Sequence, residues 1–208
     1  MGAAIAERFA REGFTAYMLA RRPQRVATAI APLLARGLNI IPLECDVRSS
    51  ASLAMTVDFI TRHAGACDVV IYNAFVNSSK RATLLGSDQM LADFHTNVAA
   101  ALSLVRLTIA PMRRSGRGTL LFSGCGLALA PSAKKTSLSI GKAGLRALVH
   151  CLEEELRPDG IRVGMVTIDG SVPRNAAELA SIADLYWQMF ANSDKNARLE
   201  VLWAQPNV

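Results

Sequence analysis

A chain of 208 residues that is 51% hydrophobic and 19% charged can bury one sizeable core and is short for two. Its formal charge is +6, yet the basic residues fall in pairs, Arg21-Arg22, Arg113-Arg114 and Lys134-Lys135, without the longer basic run of a nucleic-acid-binding segment; small anions account for them as well. No stretch reaches the ~18 apolar residues of a membrane span, there is no charged-then-apolar leader pattern, and the cysteines at 45, 67, 125 and 151 lack metal-ligand spacing, which reads as reduced thiols in a cytoplasmic protein without a metal.

Taken in order, Met1 to Arg11 is predicted helical, with Ile5 and Phe9 on one face and Glu12-Gly13 as its stop. Phe14 to Leu19 reads as a strand that leaves on Arg21-Arg22, and Pro23 opens a helix carried by Val26, Ile30, Leu33 and Leu34 as far as Gly37. Leu38 to Cys45 is the next strand, with Asp46 at its exit. Ser50 is expected to cap a helix ending near His63, and Cys67 to Tyr72 is a short buried strand that runs into Asn73-Ala74-Phe75. A polar passage from Val76 to Gly86 leads to a long helical pattern from Asp88 to Arg114, which contains His95, Asn97 and Pro111.

The stretch from Gly118 to Cys151 holds the densest chemistry. Thr119 to Phe122 reads as a buried strand, the small residues after it as a loop, and the rest as a helix carrying Lys142. Arg157-Pro158-Asp159-Gly160 is a stop and turn, Ile161 to Ile168 a strand that exits through Asp169-Gly170, Ala176 to Ala191 an aromatic-bearing helix, and Leu199 to Trp203 a last edge strand before a tail containing Pro206. Strict alternation of strand and helix predicts an α/β fold: one domain built on a doubly wound parallel sheet with helices on both faces, whose sites lie at the carboxyl ends of the strands.

With these residues in view, the chain resembles the short-chain dehydrogenase/reductase family, Rossmann-type proteins that move a hydride between NAD(P) and a carbonyl or alcohol. The resemblance covers nearly the whole chain. It implies NADP or NAD as cofactor, a small-molecule substrate and assembly as a homodimer or homotetramer through the helices at Ala99 to Met112 and around Lys142, where Ala143, Gly144, Leu145 and Ala147 allow close approach. Members open with a strand and a Thr-Gly-x-x-x-Gly-x-Gly loop; here Met1-Gly2 match only its last two positions, so Gly2 is the one residue of that loop to carry over. The first strand and most of the glycine-rich loop are absent from the 208 residues. The expected α-amino group at a helix amino terminus is also electrostatically disfavoured. Either Met1 is an internal methionine or the chain is a shortened variant.

The same resemblance assigns roles residue by residue. Arg21-Arg22 stand where arginine accommodates a 2′-phosphate, or form a solvated pair. Asp46 matches an adenine-contacting aspartate, or is a turn former. Asn73-Ala74-Phe75 matches an Asn-Ala-Gly that borders the cofactor, except that Phe75 adds a side chain where the backbone should come close. Asn97 matches the asparagine that holds a water in the proton relay, and Gly170 belongs to the turn along the nicotinamide. Lys142 is the lysine of a Tyr-x-x-x-Lys pair, on a ribose contact or as a solvated helix lysine. Leu138 occupies the tyrosine position, between Ser137 and Ser139. Ser123 is the nearest hydroxyl to serve as the family serine, although the usual interval from Leu138 falls on Cys125. The aromatic cluster Tyr186, Trp187 and Phe190 is read as helix packing in preference to a substrate pocket. Two functions stay open: an NAD(P)-dependent oxidoreductase impaired by Leu138 and the missing loop, or a non-catalytic relative that binds a nucleotide or a partner.

Overall fold

The computed structural model describes residues 1–192 and 198–205; Pro206 of the expected tail lies outside them. Among the described residues the order is α1 (Gly2–Arg11), β1 (Ala16–Ala20), α2 (Pro23–Leu34), β2 (Ile40–Glu44), α3 (Ser50–Ala64), β3 (Val69–Tyr72), α4 (Ser87–Phe94), α5 (Ala100–Ser115), β4 (Gly118–Cys125), α6 (Thr136–Leu156), β5 (Ile161–Asp169), α7 (Ala176–Ala191) and β6 (Glu200–Ala204). This is the alternation the sequence predicts, and every strand pair is parallel. The helices and strands form two compact units, the first containing Met1–Gly65 and α7, the second Ala66–Ser171 and β6.

In the first unit β1 pairs with β2 from Ala16 opposite Ile40 to Ala20 opposite Glu44. Residues 5, 6, 9 and 10 of α1 share one helical face, and Ile5, Ala6, Phe9 and Ala10 are accordingly buried. Ala6 and Ala10 pack with Ile30 and Ile40. The aromatic segment is indeed packing: the ring of Phe9 meets Phe14, Trp187 and Phe190 edge-on at centroid distances of 5.6, 5.3 and 5.6 Å. Ile182 and Tyr186 are fully buried. Ser49, not Ser50, caps α3, its Oγ accepting the Ser52 N–H at 3.2 Å. The two serines are equivalent by type, and only the backbone entry angle separates them.

In the second unit the strand order is β3-β4-β5-β6, with β6 at the edge as expected. The sequence ends β4 at Phe122; the strand runs on, pairing Ser123, Gly124 and Cys125 with Val166, Thr167 and Ile168. Small residues read as a loop because they lack strand propensity, but Gly124 is small here since a Cβ would strike the Thr167 hydroxyl. The long helix from Asp88 is also interrupted. Between α4 and α5, residues His95–Ala99 form one wide π turn, a distortion that shifts helical register and recurs at functional sites.

Among the described residues β1 pairs only with β2, and β3 only with β4. The six described strands form two parallel sheets, of two and four strands. Among the described residues no helix is long and apolar enough to cross a membrane.

Candidate active site

The end of β4 and the first turns of α6 bring the predicted residues of the second unit together. Lys142 is not a solvated lysine: it is 4% exposed, and its Nζ donates to the Ser123 carbonyl at 2.7 Å. Burial pushes its ammonium down to about 8, opposed only by the nearby Cys125 sulfur, whose charge would favour the protonated form. The ring of Phe75 stands 5.6 Å from Nζ, a cation-π contact made by the residue that replaces glycine in the Asn-Ala-Gly motif. Ser123 Oγ donates to Asn73 Oδ1 at 2.9 Å. Asn73, Ser123 and Lys142 thus form one bonded chain, with Ala74 half-buried beside it.

Leu138 lies one helical turn before Lys142 and is 6% exposed. The serines on either side do not replace a phenol. Ser137 is fully buried and donates to Asp93 Oδ2 at 2.6 Å. Ser139 donates to the Lys135 carbonyl at 3.0 Å and accepts the Ser132 N–H at 3.1 Å. Both hydroxyl groups organise the start of α6.

Asn97, in the π turn, is completely buried. Its Oδ1 accepts the Val76 N–H at 2.8 Å and its Nδ2 donates to the Val76 carbonyl at 3.1 Å, so its side chain mimics a strand neighbour for the segment leaving β3. Tyr72 donates its hydroxyl to the carbonyl of Thr96 in the same turn, and burial raises its pKa well above the phenol range. Tyr72 is therefore a structural donor. His95 is exposed.

Asp93 escaped the sequence reading. It is 1% exposed and accepts from Ser137, from Ser78 and from Gln89. Burial raises its pKa, but these three donors outweigh burial and hold the carboxyl below its usual range. An aspartate within an apolar helical pattern, four residues before Asn97, was the signal available.

The remaining predicted residues sit elsewhere. Gly2 begins α1. Arg21 and Arg22 are exposed at the carboxyl end of β1. Asp46, just after β2, accepts from both the backbone and the guanidinium of Arg48, the latter at 2.7 Å. Arg48, with a smaller contribution from Arg21, brings its carboxyl down to about 2. Asp46 is thus a turn former with an arginine across it. Gly170 leaves β5 with φ of 104°, a conformation that favours glycine.

An α/β architecture with a buried lysine beneath the carboxyl ends of parallel strands defines a Rossmann-type protein. A sequence model described as short chain dehydrogenase matches residues 1–178: the chain belongs to the short-chain dehydrogenase family. It is 30% identical over 179 residues to tropinone reductase-like 3 of Erythroxylum coca, covering 86% of this chain and 68% of that protein. To the mitochondrial dehydrogenase/reductase SDR family member 2 of Homo sapiens it is 25% identical, over 96% of this chain and 71% of the relative. Among solved structures, a metagenomic short-chain oxidoreductase in complex with NADP superimposes with a TM-score of 0.89 at 25% identity, covering 99% of this chain and 92% of that one.

Proposed function

We propose that this chain is an NADP-binding oxidoreductase of a small carbonyl or alcohol substrate in the cytoplasm, slowed at proton transfer by Leu138. The observation that carries the reading is the Lys142 ammonium, fixed on the Ser123 carbonyl one helical turn beyond a buried leucine. In each unit, taken by itself, the residues present suit a group that a dinucleotide carries. Arg21 and Arg22, exposed after β1, suit a 2′-phosphate, and the NADP-bound structural relative supports the phosphorylated form. Lys142 has three donors; one is engaged by Ser123, which leaves it able to hold a ribose hydroxyl. When bound, the nicotinamide supplies or accepts the hydride.

The chain's own residues handle the proton poorly. A carbonyl reduced next to Lys142 becomes an alkoxide, and leucine at position 138 offers no hydrogen. Ser137 and Ser139 are turned to Asp93 and to Lys135. A positioned general acid contributes about 10²–10⁴-fold, so turnover is expected to fall short by a factor of that order. Replacing Leu138 with tyrosine puts a phenol on the face of Lys142, whose charge favours the phenolate. Leu138→Tyr, assayed beside the parent across a carbonyl panel with the same NADPH, is expected to raise reduction by at least about tenfold. Robust turnover by the parent, unchanged when Ser123, Ser137 or Ser139 is removed, would overturn the proposal. One observation favours the second reading, a nucleotide-binding or partner-binding protein without catalysis: the Phe75 ring beside Lys142 stands where the family keeps a bare glycine.

A further inference from the structure

The proposed reaction leaves its substrate unnamed, and the second unit carries an open surface cavity that the reaction does not use. It is open to solvent, spans about 440 Å³ and is lined by the exposed Ser79, Arg81, Lys134 and Lys135. Three cations and a hydroxyl thus face one space. Several cations elsewhere in the same unit are paired: Arg113 with Glu155 and Asp159, Arg146 with Glu200, Arg157 with Glu153. Among the described residues no ion pair is formed by Arg81, Lys134 or Lys135. Gathering like charges around one cavity raises the local potential, and an anion relieves it.

The walls of the cavity are built, not draped. Ser79 and Arg81 follow Ser78, and Lys134 and Lys135 precede Ser137; both of these serines donate to the buried carboxylate of Asp93. One side chain therefore ties the two walls together. Farther back on the first wall, Val76 is held at both backbone groups by Asn97. On the second, the Lys135 carbonyl and the Ser132 N–H are both bonded to Ser139. With the backbone held in this way, an anion has only the three long cationic side chains to order. Its position relative to the chemistry is set by the chain: Lys135 directly precedes α6, three residues before Leu138.

We infer that this cavity is a subsite for an anionic arm of the substrate, so that the chain acts on carbonyl compounds bearing a carboxylate or a phosphate. Naming a substrate class rests on the oxidoreductase reading; the anion subsite itself does not. The probes are 4-oxo-4-phenylbutanoate and its methyl ester, the same ketone with and without a negative charge. Titrated calorimetrically into the full chain at low ionic strength, the acid is expected to bind at least about tenfold more tightly than the ester, a ratio that shrinks as salt screens the site. Inorganic phosphate is expected to compete with the acid alone, and phenyl phosphate to bind like the acid if phosphate is accepted as well as carboxylate. In the triple variant Arg81→Gln, Lys134→Gln, Lys135→Gln, three exposed positions whose replacement leaves the core intact, the preference should vanish while thermal unfolding is unchanged. Equal binding of acid and ester by the parent, or a preference that survives in the triple variant, overturns the inference. A parallel NADPH titration separates the two ideas: cofactor binding without acid preference sinks the subsite alone, and acid preference without cofactor binding sinks the oxidoreductase reading alone.

Discussion

Lys142 shows how one residue changes meaning between sequence and structure. By type it is an ordinary helix lysine; by position it is buried, bonded and pushed to about 8 by desolvation. Its effect on stability has a definite sign. Below about pH 8 both folded and unfolded chains carry the proton, and the whole penalty of burying it is present. Between there and 10.5, the ordinary lysine value, the unfolded chain keeps a proton that the folded chain has lost, so stability rises with pH. At about 1.4 kcal/mol per pKa unit the gain approaches ~3 kcal/mol. Denaturant titrations across this window are expected to show the rise in the parent and not in Lys142→Met; parallel pH profiles for the two would refute it. The identities of Lys142, Asn97 and Leu138 and their spacing were readable from the chain, because a helix converts sequence separation into direction. Their partners were not. Nothing local says that Ser123 presents its carbonyl to an ammonium, or that Asn97 turns its amide to Val76, since both bonds join segments far apart in sequence.

At the scale of elements, the π turn and α6 are fitted to one another. Gly141 faces Asn97, and a Cβ there would sit 2.7 Å from the Asn97 Cβ. Asn97 is unable to yield cheaply because both ends of its amide are bonded to Val76. Helix propensity alone favours alanine over glycine by about 1 kcal/mol; overpacking against a fixed neighbour costs about 1–3 kcal/mol. Gly141→Ala is therefore expected to destabilise the protein by up to ~2 kcal/mol, the balance of those terms, where an exposed helical glycine would give a gain. A rise in the chemical-denaturation midpoint would show that the turn yields to the added methyl. Helices and strands were legible from periodicity, including α7 to the residue. The extension of β4 and the π turn were not, because both arise from what lies alongside: the β5 backbone for Gly124, and α6 for Asn97.

For the whole molecule, assembly follows from which faces remain apolar. Of the four α6 residues expected at an interface, Leu145 is fully buried and Gly144 lies against Phe94 and Val98 of its own chain, which leaves Ala143 and Ala147 outward. With them go the exposed Leu102 and Leu107 of α5 and Ile140 of α6, apolar side chains that a partner would cover. A homodimer or homotetramer is expected by light scattering at micromolar concentration, and Leu102→Glu is expected to shift it towards monomer; a monomeric parent would count against both. The alternation of elements made the parallel architecture legible, whereas the division into two units was not, since it depends on α7 joining α1 from the other end of the chain. That pairing has a kinetic side. During synthesis the apolar face of α1 is made long before its aromatic partners in α7. At about 5–20 residues per second, Phe9 waits roughly 10–35 s for Trp187 and Phe190. Through that interval the part of α1 that meets α7 has only Phe14 against it, so the yield in a cell depends on what shields that face until α7 emerges.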